Sequence, residues 1–182
     1  MNKNLLYLLL MLVSCSGESS KVKHDLASLT SQSIEFCNEA KTIVNGCDSP
    51  VQDYFANDLK MIVYTDSTSC NTCALNKLYL WDDLINYAKP YNGTLKFYFI
   101  FNPPKGENIR LALRNSMLDY PMLLDSLGEF ERLNPHLPKN KAMHTFLLDE
   151  NNNVVLVGNP LHNPKIEQMF KDIVEEKLGK KE

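Results

Sequence analysis

"TDSTSCNTCALNKLYLW", Thr65 to Trp81, decides how this chain is read. Cys70 and Cys73 stand either side of Asn71 and Thr72. Just before them runs "KMIVYT", Lys60 to Thr65, a β-branched and aromatic stretch that predicts a buried strand. After them Ala74, Leu75, Leu78, Trp81, Leu84, Ile85 and Ala88 recur at helical spacing, with Pro90 beyond the pattern. The expected order is strand, turn, helix, with the CxxC at the junction and Trp81 on the inward face.

That placement has chemical consequences. Unpaired N–H groups and the positive dipole end at a helix start favour a thiolate, so Cys70 is the expected attacking thiol. Cys73, one turn further in, is expected to be less exposed and to resolve a mixed disulfide. Other chemistries use the same spacing. The pair could be a permanent structural disulfide, or half of a metal site. A zinc site would have to recruit Cys37 and Cys47, whose spacing is not a familiar second half; a copper site would need only one histidine more, His144 or His162. The site reading carries no metal and no organic cofactor, with the copper module using Cys70, Cys73 and His144 as its competitor.

Compartment bears on that choice. "MNKNLLYLLLMLVSC" has Lys3, then an apolar run from Leu5 to Val13, too short to span a bilayer but suited to a signal-peptide core. Its end, Leu12-Val13-Ser14-Cys15, resembles the lipobox of bacterial lipoproteins. The resemblance implies cleavage before Cys15 and acylation of that residue, so that residues 1–14 are a signal peptide. Residues 15–23, beginning with "SGESS" after Cys15, read as a lipid-anchored flexible tether. The expected location is the cell envelope, on the periplasmic side of the inner or outer membrane. There Cys37 and Cys47 are candidates for a structural disulfide. With 44% hydrophobic and 23% charged residues and a formal net charge of -3, the body is globular in composition and lacks the basic balance of a nucleic-acid surface.

Residues 24–57 hold scattered apolar positions without a sustained period and read as an N-terminal extension. From 58 to 182 the pattern sharpens. "TLKFYFIF", Thr94 to Phe101, is a second buried strand; Glu107 to Leu118 a helix; "YPMLLD" a short strand; Ser126 to Leu133 a short helix. "HTFLLDENNNVVLVGNP" is a hairpin, and Pro164 to Leu178 an amphipathic closing helix. This order predicts an α/β fold, a central mixed β-sheet flanked by helices.

With a CxxC opening the helix after the first buried strand, the pattern resembles the thioredoxin fold. More closely, through the CxxC, "YPMLLD" and "TFLLDENNNVVLVGNP", it resembles envelope-anchored thioredoxin-like lipoproteins of the TlpA and alkyl-hydroperoxide-reductase branch. The resemblance spans about Leu59 to Leu178. It implies thiol–disulfide exchange, with cysteine-containing envelope proteins and a redox partner as the other participants. Two positions depart from the family pattern. His144 stands where thioredoxins carry a cis-proline facing the disulfide, which bears on substrate handling and metal exclusion. Ser69 stands where a Trp is common. His144 is therefore a candidate to tune the thiolate or bind metal, Asp66 to relay protons or cap the loop, and His162 a loop residue. A domain that keeps the fold without turnover is the third class.

Overall fold

The structure, a computed structural model, describes residues 19–36, 41–44, 47–49, 58–116 and 122–181. In chain order these form helix α1 (residues 19–29), strands β1 (Lys41–Val44), β2 (Cys47–Ser49) and β3 (Leu59–Thr65), and helices α2 (Asn71–Leu75) and α3 (Asp82–Ala88). Then come β4 (Leu95–Phe101), α4 (Ile109–Ser116), β5 (Met122–Leu124), α5 (Glu129–Leu133), β6 (Thr145–Leu148), β7 (Val154–Val157) and α6 (Pro164–Leu178). The seven strands make one sheet in the order β2-β1-β5-β4-β3-β6-β7.

Its centre is parallel. β3 and β4 pair from Leu59↔Leu95 to Thr65↔Phe101, and β5 continues the parallel set beside β4. Both strands are buried along nearly their whole length, as expected of strands covered on two faces. Even and odd positions split cleanly. Met61, Phe97, Phe99 and Leu147 point to one face, with Leu75, Leu78, Trp81, Leu84, Phe170 and Val174 from the helices above them. Ile62, Tyr64, Tyr98, Ile100 and Phe146 point to the other, beneath Leu29, Ile34, Phe130 and Met143. The result is three layers, helix on sheet on helix.

The expected hairpin is present: β6 pairs antiparallel with β3 and with β7. Its connection is organised by Asp149, whose carboxylate accepts the N–H groups of Asn151 (2.9 Å) and Asn153 (2.8 Å). The other edge departs from expectation. β1 pairs antiparallel with β5 and with β2, so part of the expected N-terminal extension joins the sheet rather than preceding it. Within the expected tether, residues 19–23 are helical, and the described helix runs on to Leu29, fully buried against the second face.

The helix expected after the cysteines is also broken. α2 is five residues long, and a 3-10 turn, Leu78–Trp81, separates it from α3. In a 3-10 turn residues i and i+3 eclipse, which sets Leu78 and Trp81 on the same side, both buried on the sheet. Trp81 meets Phe97 and Phe99 edge-on, at 5.9 and 5.8 Å between ring centroids. It is a core residue, as its spacing predicts. Truncation here removes a buried indole from two aromatic contacts, so Trp81→Ala is expected to lower the unfolding free energy by about 3–5 kcal/mol. Denaturant unfolding checks it; a loss near zero would place the indole outside the core.

Candidate active site

Parallel strands bring their C-terminal ends to one edge, and loops from three of them meet there. The loop after β3 carries the cysteines, the loop after β4 carries Asn102, and Asp125 follows β5. Cys70 and Cys73 form a disulfide with their Cα atoms 5.2 Å apart. Cys70 is the N-cap of α2: its sulfur accepts the Cys73 N–H at 3.2 Å, and its carbonyl accepts the Ala74 N–H at 3.0 Å. A helix of five residues has little macrodipole, so stabilisation of a Cys70 thiolate falls chiefly on such local donors. Both cysteines are exposed. α2 turns Asn71 and Leu75 inward and leaves Cys73, like Cys70, at the surface.

The loop is held by Asp66, which is 8% exposed. One carboxylate oxygen accepts from the Thr68 N–H (3.0 Å), the Thr68 hydroxyl (2.9 Å) and the Ser69 hydroxyl (2.7 Å), and the Lys141 ammonium lies 3.4 Å away. Burial pushes the Asp66 carboxyl up, but the hydrogen bonds from Ser69 and Thr68 and the charge of Lys141 outweigh it and hold the group below its ordinary value. Asp66 therefore braces the loop as an ionised group, and Ser69 serves it as a donor. Of its two candidate roles, the geometry supports the capping one.

His144 also comes to this cluster, but not as a third ligand. The bond entering it is trans, since no cis peptide occurs among the described residues. The ring is buried and meets the Tyr64 ring at a tilt, with centroids 5.2 Å apart, and Nδ1 lies 4.0 Å from the second Asp66 oxygen. Nε2 lies 2.8 Å from the Pro138 carbonyl, which can only accept, so Nε2 carries the proton. Both ring nitrogens are thus turned to Pro138 and Asp66. Among the described residues no three His, Cys, Asp or Glu side chains are grouped to hold a metal ion, so the copper arrangement of Cys70, Cys73 and His144 is not assembled. His162 lies exposed on a 3-10 turn, Pro160–His162. Cys47 is an exposed free thiol at the start of edge strand β2; Cys37, its expected partner, lies outside the described residues. Cys15 lies outside them too.

Two participants have no sequence signal. Asn71, between the cysteines, is fully buried, and its amide nitrogen is shared among the carbonyls of Asp66 (3.1 Å), Ser69 (3.2 Å) and Asn102 (3.2 Å). It ties the start of α2 to the end of β4. Glu107, just before α4, reaches across to Thr72, where its Oε1 accepts both the N–H (3.1 Å) and the hydroxyl (2.5 Å). Nothing in "PPKGEN" distinguishes that glutamate from a helix-start acid.

No protein-family model and no curated protein matches the sequence. Solved structures do match in fold. A candidate thiol:disulfide interchange protein DsbE from Chlorobium tepidum superposes with a TM-score of 0.53 at 16% identity, over 81% of this chain and 98% of that one. A candidate protein disulfide isomerase from Bacteroides thetaiotaomicron gives 0.51 at 17%, over 78% and 86%. A thioredoxin-like protein in its oxidised form gives 0.50 at 12%, over 79% and 95%. The chain has a thioredoxin-like α/β fold, and its CxxC is a disulfide at the start of the helix that follows the first central strand.

The lowered Asp66 group has a signed consequence. A carboxyl depressed in the folded state stabilises the protein above its unfolded value, near 3.8, and that stability is lost as pH falls through the lower folded value. The native chain is therefore expected to be more stable than Asp66→Asn at neutral pH, with the gap closing below about pH 4. Thermal melts of both across that range check it; a gap constant with pH would mean that the charge of Asp66 does not matter.

Proposed function

We propose that this chain is an envelope lipoprotein that exchanges thiols and disulfides with protein substrates. The observation that carries the chemistry is an exposed Cys70–Cys73 disulfide whose first sulfur already accepts a backbone N–H. In the reducing direction, the Cys70 thiolate attacks one sulfur of a substrate disulfide. A Cys70–substrate bond forms and the second substrate sulfur leaves as a thiolate. The Cys73 thiolate then attacks the Cys70 sulfur, releases the remaining substrate thiolate and closes the Cys70–Cys73 disulfide. Two electrons pass from the dithiol to the substrate, and a second dithiol protein, the redox partner, restores them by the same steps in reverse. Cysteine-containing envelope proteins are the substrates this reading implies.

The location rests on the apolar run Leu5 to Val13 and on Cys15 behind it.

Two measurements check the two halves of the proposal. Cys73→Ser cannot resolve, so it is expected to accumulate mixed disulfides through Cys70 that disappear on reduction, while Cys70→Ser accumulates none. Their absence from the Cys73→Ser protein, together with no disulfide exchange by the native chain, would sink the enzymatic reading. For anchoring, Cys15→Ala is expected to leave the membrane fraction or to keep its leader. An acylated, membrane-bound Cys15→Ala protein would overturn the lipid assignment.

A further inference from the structure

α2 is a single turn, and the fate of its first N–H groups is visible donor by donor. The Cys73 N–H goes to the Cys70 sulfur. Its neighbour, the Thr72 N–H, goes to Glu107, a carboxylate from 35 residues further along the chain, which also takes the Thr72 hydroxyl. The other carboxylate oxygen, Oε2, is buried and has no hydrogen-bond partner among the described residues. A partly buried carboxylate with an unmet oxygen is costly, and an apolar residue at this position would avoid that cost.

Among the described residues no cation is paired with the Glu107 carboxylate. Asp66, on the CxxC loop, is matched by Lys141 and flanked by His144. Arg110, on α4, is paired with Asp48 on β2 at 3.0 Å. Lys105, two residues before Glu107, and Lys77, after α2, are exposed and form no ion pair with it. Glu107 thus brings a negative charge, uncompensated among the described residues, to the N–H adjacent to the one that serves the Cys70 sulfur.

We propose that Glu107 is a positioning residue for the CxxC: it holds the Thr72 N–H and sets a negative charge beside the first turn of α2, which disfavours the Cys70 thiolate and makes the disulfide harder to reduce. The inference rests on the reading of Cys70 as the attacking thiol. Reduction adds two electrons to the S–S bond and leaves two sulfurs that hold charge or take up protons. The electrons come from the dithiol partner named above. A carboxylate beside the charged form raises its energy and leaves the neutral disulfide nearly untouched. The equilibrium therefore shifts toward the disulfide, and the dithiol becomes the stronger donor.

The test compares the native full chain with Glu107→Gln, which keeps an oxygen for the Thr72 N–H and removes only the charge. The pH profile of iodoacetamide alkylation of reduced Cys70 is expected to move down by about one unit. The reduction potential against a glutathione couple is expected to rise by up to about 30 mV, the two-electron equivalent of a tenfold change. Glu107→Ala, where its melting shows it folded, should shift both in the same direction. An alkylation profile and a potential unchanged in Glu107→Gln, or moved the opposite way, would overturn the proposal and leave Glu107 a purely structural tie. Both readouts need no substrate. A normal shift in a protein that never turns over a disulfide would therefore support the tuning and count against the oxidoreductase reading.

Discussion

A carboxylate 8% exposed to water must be met by donors or lose its charge, and at Asp66 the residues that meet it are those that build the site. Thr68 and Ser69 fold back on it, which fixes the loop between β3 and Cys70. Lys141 and His144 approach it from the turn before β6, so the two segments that frame the disulfide are drawn to one charge. Asn71 completes the frame from the cysteine side by joining Asp66, Ser69 and Asn102 through their carbonyls. Without the charge, the Thr68 and Ser69 donors would turn to water and the loop would lose its shape. The parallel core could stand without this arrangement; the position of Cys70 could not.

The parts of the fold legible in the sequence are those whose pattern reflects burial directly. Leu59 to Thr65 and Leu95 to Phe101 are covered on both faces, so they read as continuous apolar runs, and Phe170 and Val174 mark the inner stripe of α6. β1 and β2 gave no such signal. They are three or four residues long, with Cys47 and Asp48 exposed; Ile43 of β1 reaches the core, but so short a stretch sets no period. The unbroken helical spacing from Ala74 to Ala88 was misleading for a related reason: a 3-10 turn keeps Leu78 and Trp81 at a spacing that an α-helix also uses. In the site, the cysteines and Asp66 were legible from their place at a strand end. The direction of the His144 ring was not, because it depends on the Pro138 carbonyl presented by a loop. Glu107 was hidden by the 35 residues that separate it from Thr72.

The segment entering β6 is held without a proline at position 144. Asn140 caps a 3-10 turn, Lys141–Met143, through the Ala142 N–H at 3.1 Å. The His144 N–H closes that turn on the Lys141 carbonyl at 3.1 Å, and its own carbonyl accepts the Tyr64 N–H at 2.9 Å. A proline here would delete the His144 N–H bond to Lys141, and with the imidazole would go the contact to Pro138 and the tilted ring contact with Tyr64. The wall is therefore fixed by a trans backbone and a committed side chain. His144 supports the site from behind by keeping Lys141 and Asp66 together.

These ties converge on a short supply of donors. A five-residue helix has few free N–H groups, and its first turn divides them between a sulfur and a carboxylate. Lengthening α2 would strengthen its dipole and favour the thiolate, but the 3-10 turn that buries Leu78 and Trp81 prevents this. The packing of Trp81 on Phe97 and Phe99 thus reaches the chemistry through helix length. Because the dipole is small, individual hydrogen bonds and single charges carry more of the balance between thiolate and disulfide. The carboxylate of Glu107, brought from just before α4 to the Thr72 N–H, lies in that same first turn.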